Sequence, residues 1–219
     1  NLAPDAYGTW KMAVIAEAEK YLEDTGFRPD AIVAFAQPFT DHLIGLELKK
    51  RYGLPLVAHF SDPWSDNPFA PFDERTRRVN LELERSVVEA ADMLIFTSAE
   101  TVDLFFAKYP DELRRKARVL PQCYDAGLFA GTAPGKAGPI VVKYLGNFYG
   151  KRTPRPLIEG LSRLYEQDPA SLADVRIEII GPGDADEVAR LAATLPGGLV
   201  TTRPSVEYRE SLTEMAEAD

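Results

Sequence analysis

Seven short apolar runs punctuate this sequence, at residues 31–35, 55–60, 93–96, 117–120, 140–145, 175–180 and 199–201. Stretches of helical length precede, separate or follow them, at 9–22, 41–52, 74–91, 99–108, 155–165, 184–195 and 208–218. Runs this short and this continuous in apolar residues mark parallel strands covered on both faces, and the intervals suit helical crossovers. Asp41 is placed to cap its helix and Gly53 to end it. An alternating strand–helix order confines the chain to the α/β class.

The rhythm breaks once. Residues 121–139 hold three prolines and four glycines without periodicity, and read as an inter-domain linker. Two α/β units are therefore expected, one of four strands and one of three. A doubly wound sheet usually has about five or six strands, so both units read as truncated. The first opens on a helix rather than a strand, and the second closes on one.

The net charge of −9 excludes nonspecific nucleic-acid binding, which needs a basic face to displace counterions. Two basic clusters stand out locally: Lys49, Lys50 and Arg51, and Arg114, Arg115, Lys116 with Arg118. They read either as solvated helix ends or as contacts to an anionic membrane surface. No apolar run approaches the roughly 18 residues that span a bilayer, and residues 1–10 lack the basic start and apolar stretch of a signal peptide. Cys123 is the single cysteine, so no internal disulfide forms and a reducing cytoplasm is the expected compartment.

Open α/β sheets bind ligands beyond the carboxyl ends of their strands. After the run ending at Leu145 come Gly146, Asn147 and, just before a helix, Lys151 and Arg152. A glycine there lets backbone approach a ligand, and two cations at a helix start suit a diphosphate; the alternative is a solvated surface turn. After Ile180 come Gly181 and Gly183, either a nucleotide contact or a plain tight turn. After Phe60 comes Asp62, placed to orient a sugar hydroxyl or accept its proton. Trp64 reads either as a sugar-stacking ring or as core, and His59 as an inward or edge residue of its strand. Gln37 is a further strand-end polar group, and helix-borne His42 reads as a surface residue. Two histidines and one cysteine among scattered acids give no metal ligand set.

In their order and spacing these residues resemble a known family. The segments 29–35, 53–57 and 62–64, with Glu84, Arg85, Asp92, Thr97 and Ser98, are similar to the first domain of retaining glycosyltransferases of the GT-B fold, the group 1 or family 4 type. Pro121 to Asp125 with Phe129 resembles that family's linker motif, with Gln122 and Cys123 in place of its usual middle pair. The resemblance implies two Rossmann-like domains: an acceptor-side domain at 1–121, a linker at 122–139 and a donor-side domain at 140–219. It implies an internal fragment, inactive alone, with a glycine-rich loop upstream and a glutamate pair downstream. It assigns Lys151 and Arg152 to the donor diphosphate, with Gly146, Asn147, Gly181, Gly183, Ser205 and Val206 as further donor contacts. It assigns Asp62 to the nucleophilic hydroxyl, and Gln37, His59 and Trp64 to the acceptor. The implied partners are a nucleotide-sugar donor and a saccharide or lipid-linked acceptor; the expected location is the cytoplasm, or the inner face of the membrane on the alternative that the basic clusters touch lipid. No metal or cofactor is expected, and retention of configuration is. A sugar-nucleotide epimerase of the same fold and a non-catalytic binding or scaffold module are the rival readings.

Overall fold

A computed structural model describes residues 4–68, 72–129, 138–181 and 183–219. The chain forms two compact units, residues 1–123 and 124–219. Of the expected linker, Ala126–Phe129 forms a 3-10 turn, and 130–137 lie outside the described residues.

Unit 1 holds strands β1 (Ile32–Ala36), β2 (Leu56–Phe60), β3 (Met93–Phe96) and β4 (Ala117–Val119), all parallel and paired in chain order. Its helices are α1 (Lys11–Thr25), α2 (Thr40–Tyr52), α3 (Glu74–Ala90), α4 (Ala99–Phe106) and the short α5 (Asp111–Arg114). The local signals are of familiar kinds. Gly53 ends α2 at φ +67°, donating its N–H to the Lys49 carbonyl at 2.8 Å. Asp73 caps α3 by accepting the Thr76 N–H, and Ser98 caps α4 by accepting that of Thr101.

Strands taken in chain order need the same right-handed step each time, which drops every connecting helix on one face. The core confirms it: Ala34, Leu56, Ala58, Phe60, Leu94 and Phe96 pack against Leu46 of α2, Val87 and Val88 of α3, and Phe105 and Phe106 of α4. Among the described residues, the other face of this sheet is partly exposed: Val33 and Phe35 are 54% and 58% exposed.

His42 also departs from the surface reading. It is buried, its ring centroid 4.5 Å from that of Phe60, and neither nitrogen has a protein partner. Burial, then the charge of His59, push its pKa down to about 3. α2 sits close enough to the sheet to seal it in. A methyl group on Gly45 would lie 2.9 Å from Leu56 Cδ1 and 3.2 Å from Ala34 Cβ.

Unit 2 holds β5 (Ile140–Leu145), β6 (Val175–Ile180) and β7 (Val200–Arg203), parallel in that order, with α6 (Arg155–Gln167), α7 (Ala185–Leu191) and α8 (Tyr208–Ala216). Ile158 of α6 and Val188 of α7 join Ile177 and Ile179 in one core. α8 lies on the opposite face, where Glu214 accepts from Lys143 of β5 at 2.7 Å and from Arg203 of β7 at 2.6 Å.

Two predictions follow from the packing of α2. Gly45→Val overfills the contact with β1 and β2, and urea unfolding of unit 1 should show a loss of about 1–3 kcal/mol. Both tryptophans lie in unit 1, so their fluorescence reports it. The unfolded chain takes up a proton on His42 below its ordinary pKa of 6.5, whereas the folded chain resists down to about 3. Stability should therefore be full above that ordinary value and fall with acidification by up to about 1.4 kcal/mol per pH unit. His42→Phe should flatten the slope between pH 6.5 and 5; parallel slopes in both proteins would refute this.

Candidate functional site

The carboxyl edge of unit 2 is built from glycines. Gly146 follows β5 at φ +141°, and Gly181 and Gly183 follow β6 at +78° and +76°, backbone that other residues rarely adopt. These positions also leave room for neighbouring loops. A methyl on Gly181 would lie 2.9 Å from Ser205 Oγ, and one on Gly183 would lie 3.7 Å from the Phe148 carbonyl oxygen and 4.0 Å from Asn147 Oδ1. The N–H of Gly146 donates to Ile180 and that of Gly181 to Arg203, both at 3.0 Å. Three loops, following β5, β6 and β7, therefore meet. Gly146, Asn147, Gly181, Gly183 and Ser205 come together, and Val206 adjoins Ser205.

Lys151 and Arg152 are exposed on the first of these loops, shortly before α6. Arg152 donates its N–H to the Tyr149 carbonyl at 3.0 Å and holds its guanidinium 5.1 Å from the Tyr149 ring centroid. Phe148 stacks on Tyr144 at 4.5 Å, tying the loop to its strand. α6 and α7 lie on one face and α8 on the other. The loops meet beyond the carboxyl ends of the strands, where open α/β sheets bind ligands.

In unit 1, Gln37 and Asp62 come together beyond β1 and β2, with Gln37 Nε2 3.5 Å from Asp62 Oδ2. Trp64 does not join them as an open stacking ring. It is 0% exposed, stacks on Phe39 at 4.7 Å and donates its indole N–H to Asn80 at 2.7 Å. Its polar atom was the deciding factor: α3 offers a buried amide as partner. His59 stands on the open face of the sheet beside Phe35, with Nδ1 buried and lacking a protein partner.

Sequence reasoning missed the network that fixes the Asp62 loop. Glu84, 0% exposed on α3, accepts from the Ser65 N–H at 2.8 Å, the Tyr109 hydroxyl at 2.6 Å and Lys108 at 2.9 Å. Lys108 also reaches Ser65 Oγ and Asp66. Burial opposes the Asp66 charge, but Lys108 and Arg77 outweigh it and hold its pKa below the usual range. Burial and Glu84 push the Tyr109 hydroxyl up, so it stays a donor. Its sequence signals were a glutamate inside a helix rich in charge and the place of Glu84 in the family resemblance, and neither points to this network.

The basic clusters are largely engaged within the protein. Lys49 pairs with Asp92 at 2.7 Å, and Arg51 with Glu19 at 2.6 Å and Glu47 at 3.0 Å. Arg114 pairs with Asp103, and Lys116 donates to the carbonyls of Val88 and Glu89. Among the described residues, no helix is long and apolar enough to cross a membrane.

Two α/β units with parallel sheets, one carrying glycine loops at the carboxyl ends of its strands, fit the GT-B fold. The chain belongs to the family described as glycosyl transferase 4-like domain, whose profile matches residues 2–122. No curated protein matches it. Among solved structures it is similar to OtsA in its apo form, at TM-score 0.63 and 13% identity, covering 94% of this chain and 55% of that one. HepE from Anabaena in complex with UDP gives TM-score 0.59 and 16% identity, with 94% and 55% covered. An alpha,alpha-trehalose-phosphate synthase (UDP-forming) from Burkholderia vietnamiensis gives 0.56 and 14%, with 95% and 56% covered. At these identities the likeness establishes the fold, and the chain spans about half the length of these structures.

Gly181→Ala forces a side chain into positive φ and against Ser205. It should cost about 1–2 kcal/mol from the backbone alone. Gly197, with open space around its Cβ position, is the control; Gly197→Ala should stay within about 0.5 kcal/mol of the parent. Denaturant unfolding followed by far-ultraviolet circular dichroism separates the two.

Proposed function

We propose that this chain is part of a glycosyltransferase that moves a sugar from a nucleotide-sugar donor to a saccharide or lipid-linked acceptor, with retention of configuration, in cytoplasmic polysaccharide or glycolipid synthesis. The observation that carries the reading is the meeting of three loops, two of them glycine-bearing, at the carboxyl ends of the strands of unit 2, with Lys151 and Arg152 on the first. The UDP bound to HepE, which shares the fold, supports a nucleotide as the ligand of that edge.

The glycines let backbone N–H groups approach a diphosphate without side-chain interference. Lys151 and Arg152 stabilise the charge that grows as the nucleoside diphosphate departs, Arg152 by the two parallel bonds a guanidinium can make. Ser205 and Val206 contact the base. In unit 1, Asp62 orients the acceptor hydroxyl and takes up its proton, and Gln37 fixes the carboxylate. Losing one such charge contact costs about 3 kcal/mol in the barrier. The reading needs no metal, because the protein's own cations balance the leaving charge. Nor does it lean on membrane contact through the basic clusters, most of whose cations are engaged in ion pairs or backbone bonds.

The test is thermal melting of this chain with UDP, GDP or ADP, in the absence of divalent metal. A nucleotide at 100 times its dissociation constant should add about 2.7 kcal/mol. Arg152→Ala should abolish the shift while leaving the unliganded melt in place. Failure of all three nucleotides to move the melt would overturn the donor site.

A further inference from the structure

A cavity of about 520 Å³ opens in unit 1 beside the carboxyl end of β1, walled by Asp5, Tyr7, Trp10, Gln37, Phe39 and Asn67. One wall is the segment just before α1. It is anchored rather than loose: Asp5 accepts the Thr40 N–H at 3.0 Å and the Thr40 hydroxyl at 2.6 Å, and Thr40 is buried at the start of α2. On that segment Tyr7 and Trp10 lie with centroids 4.9 Å apart at 30°, and remain 49% and 42% exposed. Phe39, backed by the stacked Trp64, belongs to the same lining. Gln37 belongs both to this cavity and to the contact with Asp62.

The lining has a definite chemistry. Aromatic rings take the apolar face of a pyranose, while amides and a carboxylate take its hydroxyls. The volume lies within the roughly 300–1,000 Å³ of small-molecule sites. Charge then decides between sugars. No described residue of the lining is Lys, Arg or His, and its charged group is the Asp5 carboxylate, with Asp62 one contact away through Gln37. A phosphate or uronate would meet two carboxylates with no cation from the lining to compensate.

We propose that this cavity holds one uncharged pyranose unit of the acceptor, its apolar face on Trp10 and its hydroxyls on Asp5, Gln37 and Asn67, and that it rejects phosphorylated and uronic sugars. Trp10, rather than the buried Trp64, supplies the stacking ring. The word acceptor rests on the transferase reading; the sugar site itself does not.

Saturation-transfer NMR on the 219-residue chain tests it, with methyl α- and β-pyranosides of glucose, galactose, mannose and N-acetylglucosamine against glucose 6-phosphate and methyl glucuronide. At least one neutral glycoside should bind, and the anionic sugars at least tenfold more weakly. Trp10→Ala should weaken the neutral sugar at least tenfold and Trp10→Phe should largely restore it, while the UDP-induced melting shift persists in both. The proposal falls if no neutral glycoside binds, if Trp10→Ala binds as well as the parent, or if an anionic sugar binds equally well. A UDP shift without glycoside binding overturns the cavity and spares the transferase reading. Glycoside binding that depends on Trp10, without any nucleotide shift, does the reverse.

Discussion

Two parallel strands can be joined only by a chain that leaves one end of the sheet and returns to the other. The twist of strands made of L-residues turns that return right-handed in about 98% of cases. Everything functional here is distributed by that rule. In unit 1 the strands follow in chain order, so α2, α3 and α4 fall on one face and the sheet keeps an open side. In unit 2 the first two crossovers do the same. α8 then crosses to the other face and packs on β5. The glycine loops gather at the carboxyl ends of β5 and β6 because parallel strands all hand over to their crossovers at that edge.

Handedness chooses the face, and buried charge fixes the position on it. Each unit uses a glutamate on a helix paired with a lysine from another element: Glu84 with Lys108 in unit 1, and Glu214 with Lys143 in unit 2. A buried pair of this kind adds little net stability, but removing one partner typically costs about 3–5 kcal/mol. Its effect is therefore on specificity of place. Glu84 accepts the Ser65 N–H, so the loop after β2 cannot slide along α3 without stranding a charge. α8 is held to β5 and β7 through Lys143 and Arg203, with Glu214 kept below its usual pKa by both. Burial opposes the Lys143 charge, yet Glu214 and its acidic neighbours raise its pKa overall, so the pair stays ionised.

How much of this was legible in the sequence depended on how local the cause was. Gly53 and Asp73 act on their own helix ends, and helix boundaries near 52 and 74 are readable from them. The glycines after β5 and β6 sit where strand–helix turns demand them, so the donor edge could be read as a set of candidate positions. That Gly181 faces Ser205 and Gly183 faces Phe148 could not, because those contacts join loops more than 20 residues apart. For Trp64 the choice between a stacking ring and core could not be made from the sequence, and His42 was misread as a surface residue, for the same reason. Their burial depends on Phe39, Phe60 and Asn80, brought near by the sheet and α3, and no spacing in the chain reports that. Tyr7 and Trp10 flank the start of the first helical stretch as read from the sequence, and nothing in its spacing marks them as a wall.

The two strand-end clusters are chemically opposite, and the difference has a physical reading. At the carboxyl edge of unit 2, glycine backbone and two cations make a surface that favours anions. At that of unit 1, Asp62, Gln37 and an aromatic cavity with a carboxylate make one that favours neutral hydroxyl groups. A sugar transfer asks for both. A dianionic leaving group must be stabilised, and a weakly acidic hydroxyl must be aimed and relieved of its proton. One surface cannot serve both ends well, since cations that welcome the diphosphate would depress the carboxylate that has to accept a proton. On the proposed reading, dividing the chemistry between two sheets is therefore more than an inheritance of the fold: a glycine-lined edge that suits an anion and a carboxylate edge that suits a hydroxyl are each built from a sheet of their own.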